Sequence, residues 1–263
     1  DAYGHQKKWD EAIVQYKKLV EGKPNNANFH YKYGGALGMK ALSVPKLKAL
    51  GIIGDVKEAF LKAAELNPKH IEARWALVEL YMQLPGIIGG SKKKSLKFAE
   101  ELQTLSEVDG YLAKGYVYEY DNEPKLAERY FKKAIDQETD SYKKATNLLK
   151  VAQILSKQGR KSEARTYCYR ALDNAPTMGR AYLIIAGMYA SSANSCGDDL
   201  VSKRMVYVAA LNMAYKAKSV DPSISGLANK YIASYSENVP TTKDLFIAGV
   251  KSGTPFKIGC WIN

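Results

Sequence analysis

Along residues 145–176, ATNLLKVAQILSKQGRKSEARTYCYRALDNAP, apolar positions recur at intervals of three and four. Leu148, Val151, Ala152 and Leu155 share one face of a helix. Ala164, Cys168 and Ala171 share one face of a second helix. Gly159 separates the two stripes, and Pro176 stops the second. The small side chains of Ala152, Ala164 and Ala171 let the helices approach closely. The pattern predicts a helix pair that buries one stripe from each member.

The same frame returns along the chain. Residues 27–68 place Tyr33, Gly34 and Leu37 in a first helix, then Phe60, Ala63 and the stop Pro68. Residues 71–105 place Leu77 and Tyr81, then Ala99 and Leu102. Residues 108–138 place Tyr111, Gly115 and Tyr118, then Ala127, Phe131 and Ala134. Residues 179–222 place Ile185, Ala186 and Tyr189, then Ala210, Ala214, Ala217 and Pro222. Residues 1–26 supply the end of one more unit through Ala12, Tyr16, Leu19 and Pro24. The expectation is one partial repeat (1–26), five repeats (27–222), a helix over 223–238 covering the last apolar face, and a non-repeat tail (239–263). Across IDQETDSYKK (135–144) the spacing is about three residues too long for the period, so the frame is weakest there.

Three repeats carry extra residues between their helices. The stretches are ALSVPKLKALGII (41–53), LPGIIGGSKKK (84–94) and SSANSCGDDL (191–200), the last polar and loop-like. The tail TTKDLFIAGVKSGTPFKIGCWIN exchanges Ala, Lys and Glu for Gly, Pro, Phe, Ile and Trp. It is expected to be irregular or short and β-like, folded back on the repeats.

The repeated unit resembles the tetratricopeptide repeat, a helix-turn-helix of 34 residues. That family places a large and then a small apolar residue in helix A, and Ala, an aromatic and Ala in helix B. Val151, Ala152, Ala164 and Ala171 match, with Cys168 in the aromatic's place. The resemblance implies an all-α, right-handed α-α superhelix whose A helices line a concave peptide-binding face. Its inward positions fall here on Tyr31, Gly35, Glu72, Trp75, Glu79, Asp109, Tyr116, Glu119, Gln153, Lys157 and Arg180. The middle of that set is acidic and aromatic, and Lys157 and Arg180 make its exit basic. A clamp for a C-terminal carboxylate needs inward Lys and Asn in the first repeats, where Tyr31 and Gly35 stand instead. YKYGGALGMKAL, ALVELYMQLPGIIGGSKKK, NSCGDD and KIGCWIN are also similar to stretches of envelope tetratricopeptide proteins of Bacteroidetes-type bacteria. This second resemblance implies a periplasmic or envelope location, with the cytoplasm as the alternative.

Composition changes little in this picture. Of 263 residues, 46% are hydrophobic and 25% charged, as in an ordinary globular or repeat protein. No apolar run approaches the roughly 18 residues of a membrane span. The first residues, DAYGHQKKWDEA, are not a secretory signal, and both ends read as cut. The net charge of +12 raises the question of anionic partners. The lysines are scattered, only Lys92, Lys93 and Lys94 form a run of three, and no nucleic-acid-binding module is visible, so no nucleic acid is expected.

LPGIIGGSKKK has the ingredients of a phosphate loop. Its Ser91-Lys92 order reverses the Lys-Ser/Thr order of that motif, and ARWALVELYMQ before it has helical rather than strand period. It reads instead as an enlarged turn: Pro85 ends one helix, the glycines turn, and Ser91 caps the next. Lysines at a helix N-terminus oppose its dipole, so Ser91, Lys92 and Lys93 are a candidate anion site.

No catalytic constellation is present, and no cofactor is expected. Cys168 falls on a core stripe. The histidines His5, His30 and His70 are dispersed and the cysteines form no CxxC, so no metal site is expected. Cys196 and Cys260 lie beside glycines outside the repeat frame. Either they form a disulfide that staples the tail in an oxidising compartment, or they are free thiols in a reducing one. The sequence points to a non-catalytic scaffold for a protein or peptide partner of unspecified identity. The alternative is a binder of anionic lipid or polysaccharide through the basic exterior.

Overall fold

The computed structural model describes residues 8–251, 253 and 255–262, which form two compact units meeting between Ala134 and Ile135. The described residues are helical with short connections, and no strand occurs among them. The all-α helix-turn-helix fold implied by the resemblance is the fold observed.

In the first unit, α1 (Trp9–Gly22) precedes three helix pairs. They are α2 (Ala27–Ser43) with α3 (Lys46–Leu66), α4 (Ile71–Gln83) with α5 (Lys92–Leu105), and α6 (Glu107–Tyr120) with α7 (Pro124–Gln137). Polar caps satisfy the first amides. Asn26 accepts from the Phe29 amide at 3.1 Å, Ser91 from Lys94 at 3.3 Å and Ser106 from Asp109 at 3.3 Å. His70 caps α4 through Nδ1, which accepts from the Ala73 amide at 3.3 Å.

Leu77, Leu102, Phe131, Val56, Val78 and Val117 are among the largest fully buried side chains of this unit. Each contributes roughly 1.5–3 kcal/mol by leaving water. Two pairs use the same close approach. A Cβ on Gly34 would lie 2.9 Å from the Phe60 ring, and one on Gly115 would lie 2.7 Å from the Phe131 ring. Glycine in helix A makes room for the aromatic of helix B.

The stretch 41–53, expected between the two helices, belongs almost wholly to them. The chain breaks only at Val44 and Pro45, where the proline fixes an extended backbone, and Lys46–Ile53 form the first two turns of α3. The turn at 84–91 contains a short 3₁₀ segment, Gly86–Ile88. Gly89 follows with φ of 99°, a left-handed conformation that glycine adopts without strain. The Ser91 amide then donates to the Tyr81 carbonyl at 2.8 Å and closes the turn.

The weak frame at 135–144 coincides with the boundary of the units. The buried Glu138 carboxylate accepts from the Asp140 amide at 3.0 Å, and Asp140 in turn caps α8 by accepting from Lys143 at 2.8 Å.

In the second unit, α8 (Ser141–Lys157) pairs with α9 (Lys161–Asn174), and α10 (Gly179–Ala190) with α12 (Leu200–Val220). In the first of these pairs Ala152 and Cys168 replace the glycine and the aromatic, and both are fully buried. The expected polar loop at 191–200 contains a short helix, α11 (Ala193–Cys196), with Ser192, Ala193 and Cys196 buried. Helix α13 (Ser225–Ser236) packs on α12. The tail differs from the irregular or β-like expectation: it opens with α14 (Thr242–Ile247), set by a capping box between Thr241 and Asp244. Arg204 of α12 holds the Asp244 carboxylate. The tail then runs to a 3₁₀ turn, Cys260–Ile262.

Candidate functional site

The A helices of the first unit carry most of the inward positions, and hydrogen bonds tie them together. The Trp75 indole N–H on α4 donates to Asp109 Oδ1 on α6 at 3.0 Å. Two turns further along, Gln83 donates to the Tyr116 hydroxyl at 3.3 Å. Tyr116 lies 6.1 Å from Tyr120, and Tyr31 on α2 lies 5.2 Å from the His70 ring at the start of α4. Glu72, Glu79 and Glu119 are exposed among these rings.

The electrostatics show how closely the acids and phenols sit. Burial, then the charges of Glu72 and Glu79, raise the Tyr31 pKa above its ordinary value. Burial likewise raises Tyr116, with Glu79 and Glu119 adding and the Gln83 hydrogen bond opposing. Glu79 therefore acts on both phenols. Its field and that of its neighbours make this face attractive to cations.

Tyr31 borders two cavities. One, of about 660 Å³, is lined by Asn28, Tyr31, Lys32, Asn67, His70 and Glu72 among others. The other, of about 220 Å³, lies among Trp9, Tyr16, Tyr31, Gly35 and Met39. A Cβ on Gly35 would meet nothing within 4 Å, so the missing side chain leaves open space there.

The remaining predicted positions belong to the second unit. Gln153 and Lys157 lie one turn apart on the exposed side of α8, and Arg180 is exposed in the first turn of α10. Sequence reasoning did not anticipate a polar cluster formed there by the tail. Arg165 donates to the Ile262 carbonyl at 2.7 Å and to the Tyr189 hydroxyl at 3.3 Å, with its guanidinium 5.3 Å from the Trp261 ring centroid. Trp261 donates to Ser192 Oγ at 3.2 Å and lies 5.4 Å from Tyr189. Lys161 donates to the hydroxyls of Ser191 and Ser192 at 3.0 and 2.8 Å, and burial lowers its pKa. Cys196 and Cys260 are joined by a disulfide across 64 residues, which fixes the tail onto α11.

At the candidate anion site the acceptors come from the chain itself. Ser91 is the helix cap, as expected. The Lys92 ammonium is held by the carboxylates of Asp121 and Glu123, which supply the negative charge assigned to a bound anion. Lys93 is exposed, and the Lys94 ammonium lies 5.4 Å from the Tyr81 ring centroid.

No helix among the described residues is long and apolar enough to cross a membrane. Nor does any group of three or more His, Cys, Asp or Glu among them stand where it could hold a metal ion.

Repeated helix pairs, with hydrogen bonds between the first helices of successive pairs, define the chain as a helical-repeat protein. Two stretches match models of the tetratricopeptide family: residues 1–40 as "TPR repeat" and residues 112–178 as "Tetratricopeptide repeat". Solved structures share the fold. A tetratricopeptide repeat protein from Parabacteroides merdae is 14% identical with a TM-score of 0.57, over 89% of this chain and 80% of that one. A thermophilic tetratricopeptide protein from Thermus thermophilus is 18% identical with a TM-score of 0.52, over 71% of this chain and 93% of that one. No curated protein sequence matches the chain significantly. Proteins built of these repeats bind protein or peptide partners.

Proposed function

We infer that the chain is a non-catalytic scaffold that holds a peptide or helix of a partner protein against the inner face of its first unit, within an assembly of the bacterial envelope. The observation that carries this reading is the Trp75–Asp109 hydrogen bond, with Glu72, Glu79 and Glu119 around it. It fixes a half-buried indole in an acidic surround, the kind of anchor on which peptide interfaces concentrate their affinity. The charge selects a partner segment with Lys or Arg beside an apolar residue. The disulfide supports an oxidising compartment.

Selection from a random peptide library by the purified protein tests the groove. Recovered peptides carry Lys or Arg, and Trp75→Ala weakens them by about tenfold or more. Peptides bound equally well by Trp75→Ala and by Glu79→Gln would remove this face from the reading. Fractionation of the native cell tests the compartment. Recovery with the envelope supports it, and recovery from the cytoplasm with reduced cysteines overturns it.

A further inference from the structure

The tip of the α2–α3 hairpin is the most apolar exposed part of the first unit. Leu42 at the end of α2 is 76% exposed, Leu47 in the first turn of α3 is 82% exposed, and Leu50 is 47% exposed. Met39, one turn before Leu42, is 43% exposed. These side chains gain nothing from water, and a Pro45-broken hairpin does not require them for its core. Leu37, Ala41, Val56 and Phe60 already serve that purpose, buried on the same helices.

The tip's own stretch of chain is also cationic and carries no acid. From Gly22 to Gly54 the chain has no Asp or Glu and five lysines: Lys23, Lys32, Lys40, Lys46 and Lys48. Lys40 is paired with Asp10 at 2.6 Å, while Lys46 and Lys48 are exposed on either side of Leu47. The neighbouring turn repeats the composition. Residues 80–99 contain no acid and four lysines, of which Lys92 is paired with Asp121 and Glu123, and its Ile87 is 97% exposed. A Cβ on Gly89 in that turn would lie 3.9 Å from Lys57 Nζ, which places the turn against α3.

We propose that this tip, Leu42, Leu47 and Leu50 with Lys46 and Lys48, docks on the surface of an anionic phospholipid bilayer. Leucines enter the boundary between headgroups and acyl chains while the flanking ammonium groups stay with the phosphates. Extension of α3 by its first two turns is what carries Leu47 and Leu50 out to this position. The occupant follows from charge complementarity: a basic apolar tip suits an anionic apolar boundary and not a basic peptide. Docking here uses none of the residues of the acidic inner face.

The test is co-sedimentation of the full chain with vesicles of phosphatidylcholine, with and without phosphatidylglycerol. Binding to the anionic vesicles is expected, weakening as salt rises. The double substitution Leu47→Glu with Leu50→Glu lowers it by about tenfold or more. Both positions are exposed, so the variant keeps its helical circular dichroism. Trp75→Ala leaves vesicle binding unchanged, which separates this tip from the peptide face. A Leu47→Trp variant gains a blue-shifted emission component on binding. The proposal is overturned by absence of binding to the anionic vesicles, by equal binding of the Leu47→Glu, Leu50→Glu variant, or by binding of a soluble polyanion with no blue shift on vesicles.

Discussion

Trp75 and Asp109 lie 34 residues apart in sequence and 3.0 Å apart in space, joined from indole N–H to carboxylate. The separation equals one tetratricopeptide period, so the bond links equivalent helices of successive repeats. Trp75→Phe keeps most of the ring and deletes the donor. It is expected to cost about 1 kcal/mol, because the acceptor is charged but half-exposed to water. Urea unfolding of the two proteins checks this, and unchanged stability would mean that the bond orders the face without stabilising it.

Gly115 lies under Phe131 in the same way as Gly34 under Phe60. A Gly115→Ala methyl would stand 2.7 Å from the Phe131 ring, too close for any packed core. The variant is expected to lose about 1–3 kcal/mol. The Ala152 and Cys168 pair suggests its own rescue, since the fold there uses a methyl against a small side chain. Combining Gly115→Ala with Phe131→Cys should therefore cost less than the two single losses added together, by roughly 0.5–3 kcal/mol in a double-mutant cycle. Strict additivity would show that glycine and aromatic are not coupled.

Helix pairs were legible in the sequence because each buries one stripe, and a stripe repeated in a fixed frame is hard to produce by chance. The contacts between repeats were less legible, though a signal existed. Gln83 and Tyr116 are 33 residues apart, and Lys92 is 29 and 31 residues from its two carboxylates. Such partners sit about one period away, so scanning each polar residue against the next repeat would have found them. Residues 41–53 were an insertion to the repeat frame, yet KLKAL is good helix-forming sequence and simply lengthens α3. The Arg165 bond to the Ile262 carbonyl spans 97 residues outside any period, and nothing local announces it.

Lys92 provides a pH-dependent prediction. Its hydrogen bond is the largest cause that lowers the Asp121 pKa below the ordinary 3.8. A carboxylate with a depressed folded-state pKa stabilises the protein above its unfolded-state value and loses that contribution as pH falls through the folded one. The pair is open to solvent, so the effect is small and screened by salt. Lys92→Met should unfold more easily than the natural chain at about pH 7 but show a smaller difference at about pH 2. Urea midpoints at both pH values measure it, and an identical difference at each would exclude Asp121 as the partner that matters.

The three cysteines should report two environments. Cys168 is fully buried, and burial pushes its pKa up to about 12, so the reactive thiolate is scarce. Cys196 and Cys260 are bonded to each other. A thiol reagent should find no reactive group in the native oxidised chain, two after mild reduction, and the third only after unfolding. Reduction should also change the emission of Trp261. With the bridge open, the tail is held only by non-covalent contacts such as the Arg165–Ile262 and Trp261–Ser192 hydrogen bonds. A disulfide stabilises chiefly by restricting the unfolded chain, so the loss of stability on reduction is expected at roughly 2–4 kcal/mol. Cys260→Ser should reproduce that loss without reductant. Three thiols reacting in the native chain before reduction would show that the bridge is not formed.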